Sequence, residues 1–410
     1  MRVGLAFTMA TLALAMASQP LHALQVRDDV SPLGSVRMID AQIGWAVTPR
    51  CGPCPPRVVS GLLLRTTNGG TQWKDITPVD SSGQGVDVPY FHAFDSRIAW
   101  APNPSRAATE NHGIFRTVDE GRTWRIIAIP PGGWQSMSFI NPREGWLLVP
   151  IVGYAGHTDV DIYRSQDGGE TWIKVATNTD ASSGLTNVSG MTGITFLNPT
   201  TGWITGIAVY FDWLYLYVTQ DGGRTWRQQN LPRPPQPQRD QPLSQHVTLR
   251  YQASLSQVRF FTAHDGIMRA NYDYYLFNDS TGDTQDAGSV VVFDVSHDGG
   301  KTWAYTTPLP VRQGNPRPRP STFVDMNHGW VKDEDTLYVT NDGGRRWTRI
   351  RPNQFFADVT QLDFISPEIG WAVRNTDPYG GGARQTSPFL LKTLDGGRTW
   401  APVAYTISRQ

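Results

Sequence analysis

The 410-residue chain carries 36 Lys plus Arg against 36 Asp plus Glu, a formal net charge of zero, and only 18% of its residues are charged. That balance removes any electrostatic argument for nucleic acid or an anionic membrane as the main partner. Forty Gly, 30 Pro and 15 Trp describe many short strands joined by tight turns, and so an all-β chain.

Met1 to Ala23 has Arg2, an apolar run from Val3 to Ala17, and small residues at Ala15, Ala17 and Ala23. A basic start, a short apolar stretch and small residues together predict a signal peptide over 1–23, cut after Ala17 or Ala23. An uncleaved anchor is the alternative. No later stretch approaches the roughly 20 apolar residues of a spanning helix, so residues 24–410 are expected in the periplasm or outside the cell, as a monomer.

The rest of the chain is organised by two motifs that alternate. The first is an apolar strand, a polar turn and a Gly-Trp opening a second strand: MIDAQIGWAV from Met38, AFDSRIAWAP from Ala93, FINPREGWLL from Phe139, FLNPTTGWIT from Phe196, FFTAHDGIMR from Phe260, FVDMNHGWVK from Phe323 and FISPEIGWAV from Phe364. This is a hairpin signature. The second follows each of these and ends in Trp73, Trp124, Trp172, Trp226, Trp303, Trp347 and Trp400; its form is SQDGGETW over Ser165 to Trp172. Its acidic or amide residue (Asn68, Asp119, Asp167, Asp221, Asp298, Asp342, Asp395) hydrogen-bonds the backbone two residues on, and the following glycines supply the positive φ of a tight hairpin. These carboxylates are expected to be turn residues and not catalytic ones. Successive box tryptophans are 51, 48, 54, 77, 44 and 53 residues apart, the period of propeller blades.

Each unit therefore has strands A to D, and the chain is predicted to be a single seven-bladed β-propeller of four-stranded antiparallel blades. The blades fall near 34–78, 88–130, 134–177, 190–231, 253–308, 320–351 and 359–408, the last ending with strand D near Thr406. Closure is expected from blade 7 packing on blade 1, with Leu24 to Asp29 available as an outer strand. The paired motifs, from Val36 to Thr406, resemble the Asp-box, or bacterial neuraminidase repeat, propellers, and specifically the photosystem II assembly and stability factor family. That resemblance implies a scaffold whose photosynthetic members are assembly chaperones for a membrane complex.

In such a meander the A to B and C to D turns share one face, while the B to C loops and D to A connections share the other. All the long insertions fall on this second face: 101–112, 149–161, 271–288 and 375–388 between B and C, with 232–250 and 310–320 between D and A. Loops on a rigid scaffold are where binding residues accumulate. The expected contacts are Trp134 and Trp213, which belong to neither motif, the tyrosines Tyr272, Tyr274 and Tyr275, and Tyr154, Arg317, Arg319, Tyr379 and Arg384. Tyr, Trp and Arg are the residue types that interfaces enrich. The only cysteines, Cys51 and Cys54 in PRCGPCPP, lie in the first B to C loop. Prolines on both sides prevent the helix that activates a redox CGPC, so a small loop-stapling disulfide is expected, with redox activity and metal binding as alternatives.

Glycoside hydrolysis normally takes two carboxyl groups flanking the bond, or a tyrosine nucleophile with an arginine cluster. Of the six glutamates, Glu120, Glu144, Glu170 and Glu368 sit on the turn face, which leaves Glu110 and Glu334, helped by Asp159, Asp161, Asp212, Asp273 or Asp377. No phosphate loop, nucleophile elbow or zinc motif is present. The reading is a non-catalytic binding or assembly scaffold that holds a partner protein on its loop face, without metal or cofactor. The alternative is a carbohydrate-active propeller, hydrolase or glycan binder.

Overall fold

The computed structural model describes residues 32–409, apart from 50–60, 81–82, 104–112, 129–135, 155–156, 187–189, 209–210, 234, 238–242, 310–318 and 375–388. Seven antiparallel sheets follow one another along the chain, and in each the strands pair in sequence order, giving seven blades. Blade 7 is representative: Val359–Phe364, Gly370–Arg374, Leu390–Thr393 and Ala401–Pro402 serve as strands A to D. The A strands of the other blades are Ser35–Met38, His92–Ala93, Ser136–Phe139, Met191–Phe196, the pair Val247–Leu255 and Arg259–Phe260, and Ser321–Phe323. Residues 1–31, with the predicted signal and Leu24 to Asp29, lie outside the described residues.

The spacing between the strand A aromatic and the Gly-Trp follows from how blades stack. The tryptophan of one blade lies flat on the strand A phenylalanine of the next: Trp100 on Phe139 at 4.0 Å between ring centroids, Trp146 on Phe196 at 3.7 Å, Trp330 on Phe364 at 3.8 Å. Each phenylalanine then meets its own box tryptophan edge-on, as Phe196 does Trp226. The glycine before the tryptophan makes room for that ring, since a Cβ on Gly202 would lie 2.7 Å from Phe196. The indole N–H reaches onward to the next blade's box: Trp100 donates to the Gly168 carbonyl at 3.3 Å, Trp146 to Gly222 at 3.0 Å, Trp330 to Gly396 at 2.9 Å, and Trp371 to Gly69 at 3.2 Å, joining blade 7 to blade 1. Between blades 4 and 5 a glutamine relays the bond, Trp203 to Gln229 and Gln229 to Gly300. Blade 5 has Ile267 in place of the tryptophan, and Phe293 from its strand C takes the space against Phe323 and Trp347.

Two expectations about strands need correction. Strand D of blade 7 ends at Pro402; the chain then crosses so that Thr406–Ser408 pairs in parallel with Gln72–Lys74, the outer strand of blade 1. Closure therefore combines packing with a shared sheet. Removing residues 404–409, which include the buried Tyr405, is expected to cost at least about 3 kcal/mol by the loss of that one aromatic anchor, read as a lower unfolding midpoint in urea. Second, 149–161 and 271–288 are mostly strand and not loop. Gly145–Tyr154 pairs with His157–Ser165, and Gly266–Asn278 with Thr284–Ser296, because alternating apolar residues continue past the length of an ordinary blade strand.

Candidate functional site

The motif turns form one tightly locked face. In all seven blades the first glycine of the box, or Glu120 in blade 2, donates its backbone N–H to a carbonyl in the same blade's A to B turn, as Gly168 does to Arg143 at 2.6 Å and Gly396 to Glu368 at 2.9 Å. Within the turn, Asp298 accepts from the Thr302 backbone at 2.9 Å and its hydroxyl at 2.6 Å, and these bonds hold its carboxyl at about 2. Three of the four glutamates here are bound to arginines, Glu120 to Arg65 and Arg122, Glu144 to Arg164, and Glu170 to Arg116 and Arg125, while Glu368 accepts from the Ser366 hydroxyl. Carboxylates so engaged are turn and interblade links.

The opposite face is dominated by blade 5. Its B and C strands are 13 residues each, and with Val247–Leu255 they form a three-stranded sheet that continues beyond the span of the blade 4 B strand, Gly202–Gly206. The blade 4 loop borders it: Ala208 donates to Ala253 at 2.7 Å and Asp212 to Tyr251 at 2.8 Å. Side chains alternate across this sheet. Tyr272, Tyr274 and Leu276, with Leu249 and Tyr251 opposite them, face the core shared with blade 4. Arg250, Tyr275 and Phe277 face the other way, where Phe211 stands edge-on to Tyr275 at 5.4 Å and Phe277 at 6.1 Å, and the Arg250 guanidinium covers Phe277 at 4.5 Å. All four of these residues are half-buried.

The predicted contacts thus separate. Tyr272 and Tyr274 are 1% and 2% exposed, and Tyr274 donates its hydroxyl to the Pro235 carbonyl at 3.0 Å, so both are core residues and not an exposed cluster. Trp213 is half-buried against the same core, with its indole N–H unpaired. Arg319 is buried and ion-paired to Asp333 at 2.7 Å. Tyr275 is the predicted tyrosine that points away from the core. Tyr154 lies on a strand whose side chains there fall outside the described residues, as do Trp134, Arg317, Tyr379, Arg384, Glu110, Cys51 and Cys54 altogether. Phe211, Arg250 and Phe277 were not singled out from the sequence; the period-2 continuation of 271–278 was the signal that carried them.

Blade 6 adds an open cleft of about 470 Å³ on the same face, lined among others by Glu334, Asp335, Arg349, Arg351 and the 52%-exposed Phe355. Glu334 has φ 49° in the tight turn between strands B and C, and Asp335 accepts from the Phe356 N–H at 3.2 Å.

The central channel, lined by the A strands, is polar. Where blades 7 and 1 meet, Gln361 accepts from the Val36 N–H at 2.8 Å and Asp363 from the Met38 N–H at 2.5 Å, while Arg37 pairs with Asp363 at 3.4 Å. Gln257 of blade 5 reaches past blade 4 to Ser136 of blade 3, possible because Gly193 lies between; a Cβ there would be 2.5 Å from the Gln257 side chain. Arg259 is exposed at the channel, and partial desolvation, with the nearby Arg37, lowers its guanidinium to about 10 against the opposing pull of Asp363. His92 is pushed down to about 4 by burial and by Arg37. Among the described residues no group of three or more His, Cys, Asp or Glu is placed to hold a metal ion, and no helix is long and apolar enough to cross a membrane.

The architecture is that of a seven-bladed β-propeller with a locked turn face and an elaborated loop face. No family model matches the chain. In sequence it is similar to the xyloglucanase Xgh74A of Acetivibrio thermocellus, 21% identical over 185 residues, covering 40% of this chain and 22% of that protein, and to a xyloglucanase of a Paenibacillus species, 25% identical over 139 residues, 28% and 13% of the respective chains. The chain thus spans about a fifth or less of the length of these curated relatives. Similar solved structures include YCF48 bound to a D1 peptide, with TM-score 0.48, 15% identity and coverage of 84% of this chain and 89% of that one. The xyloglucanase of Xanthomonas campestris has TM-score 0.39 and 13% identity, over 92% of this chain and 68% of that one.

Proposed function

We propose that this protein is a non-catalytic extracytoplasmic scaffold that holds a partner protein on its loop face. The observation that carries this reading is the blade 5 sheet, which sends Arg250, Tyr275 and Phe277, with Phe211 of blade 4, away from the core as one half-buried aromatic and arginine patch. Such residues anchor protein interfaces because they bury large area at low entropic cost and pair polar tips with the partner. The paired motifs' resemblance to photosystem II assembly factors points the same way. The extracytoplasmic location rests on the composition of residues 1–23.

Crosslinking in the periplasm followed by mass spectrometry identifies the partner. Tyr275→Ala with Phe277→Ala is then expected to weaken capture at least about thirtyfold, as truncated hot spots commonly cost 2 kcal/mol or more, with little change in thermal stability. Arg143→Ala with Glu144→Ala on the turn face should leave capture intact. The reverse pattern would place the working surface on the turn face.

A carbohydrate-active role is the second reading, favoured by the blade 6 cleft, where the exposed Phe355 stands beside Glu334 and Asp335, and by the sequence similarity to xyloglucanases. A screen of fluorogenic glycosides with a glycan array separates the two; release or retention of a glycan that depends on Phe355 would favour this one.

A further inference from the structure

We infer that the partner of this scaffold is basic where it docks, and lays a Lys or Arg side chain over Tyr275 beside Asp273 and Asp286. The inference rests on the scaffold reading and adds the chemistry of the partner to it. The chain as a whole is neutral, yet residues 247–252 and 273–289, which build the projecting part of blade 5, hold four aspartates and one basic residue, Arg250. Asp212 of the blade 4 loop adds a further exposed carboxylate at the border, where its N–H bonds Tyr251.

One complete example of such a contact is internal to the sheet. The Arg250 guanidinium covers Phe277 at 4.5 Å and lies 3.7 Å from the Asp279 carboxylate, which also accepts from the Thr248 hydroxyl at 3.3 Å. Ring and carboxylate hold the cation together, one through its negative face and the other through its charge. Tyr275 repeats the ring and the acid two residues earlier on the same face. Asp286 is its direct partner on the neighbouring strand and Asp273 precedes it by two residues, which puts both beside it, roughly 5 Å across and 7 Å along the sheet. Asp273 accepts from the Ser289 hydroxyl at 2.6 Å and Asp286 from the Gly288 N–H at 2.7 Å. Among the described residues neither has an ion pair, and no cation lies over the Tyr275 ring. Such a surface repels an acidic partner and attracts a basic one. A Lys or Arg side chain suits it, since the apolar stem lies along the ring while the head reaches the carboxylates.

Fluorescence anisotropy on the intact protein tests this with a labelled seven-residue peptide, three lysines around one leucine, and its twin with glutamate in place of lysine. Saturable binding of the lysine peptide alone is expected. Asp273→Asn with Asp286→Asn should weaken it about tenfold at low ionic strength, as two exposed charge contacts are lost, and the difference should vanish in about 0.5 M salt. Asparagine keeps both acceptor bonds, and melting temperatures check the fold. If the pair does not fold, Asp286→Asn alone, at an exposed side chain, should give a severalfold loss. Asp80→Asn with Asp180→Asn removes equal charge from the exposed connections after blades 1 and 3 and should leave binding unchanged. An equal loss from that second pair, equal binding of the glutamate peptide, or no saturable binding would overturn the inference. The partner recovered by crosslinking separates this inference from the scaffold reading. Capture lost with Tyr275→Ala plus Phe277→Ala but kept with the Asp273 and Asp286 pair leaves the scaffold standing and removes the basic contact; capture kept by both variants removes the scaffold reading as well.

Discussion

Trp146→Ala should lower stability by about 3 to 5 kcal/mol, the cost of a large-to-small change in a packed core. The side chain is fully buried, stacks on Phe196 at 3.7 Å, carries the Arg164 guanidinium on its ring at 5.1 Å, and gives its N–H to Gly222 of the next blade. Its loss removes packing from two blades at once and leaves a buried carbonyl without its donor. Trp172→Ala should cost less. That box tryptophan is only half-buried and its N–H has no partner. Urea unfolding of both variants measures the difference. Equal losses would mean that the box tryptophan fastens the blade as strongly as the interblade stack does.

Asp294→Asn should stabilise the protein at pH 8 and change little at pH 4. Asp294 is 1% exposed on strand C of blade 5, its Oδ2 has no partner, and burial raises its carboxyl to about 7. The unfolded chain titrates this group near its ordinary value of about 4, so the sign follows from linkage. A raised folded-state pKa means the folded protein binds the proton more tightly. Its stabilising share is present below about 4 and is lost as pH rises from about 4 to about 7; above that, the fold holds an ionised carboxylate at a cost on the order of 4 kcal/mol, three units at about 1.4 kcal/mol each. Asparagine carries no such titration. Melting temperatures across pH 4 to 8 should therefore converge at the acid end and separate at the basic end.

Much of the fold was legible because each blade repeats two local solutions. The box needs a side chain that accepts from the backbone, followed by residues tolerating positive φ, and the Gly-Trp motif needs a ring-sized gap before a large aromatic. The box leaves its mark in all seven copies, and the Gly-Trp pair in five, with Ala99-Trp100 in blade 2 and Gly266-Ile267 in blade 5. What the motifs did not carry was register outside them. Tyr272, Tyr274 and Tyr275 read as one cluster, but alternation along a strand sends the first two inward and the third outward, and a loop assignment for 271–288 hid that. Arg37 and Asp363 were equally invisible. Their residue types are ordinary for strand ends, and only the closing of the ring brings blades 1 and 7 together.

The tip of the blade 5 hairpin has a practical meaning. Asp279 to Asp286 are exposed, and the turn is closed locally by Asn278 and Asp283, at the far end of strands that extend well past the blade body. None of the tryptophan-to-glycine links that hold the ring passes through it. Lengthening a surface turn costs only a slowly growing closure entropy, about 0.6 kcal/mol for each doubling. A foreign peptide or a fluorescent reporter spliced at Ser280 would thus ride on a rigid mast, and lineages carrying this propeller can remodel what it displays there without disturbing how the ring is shut.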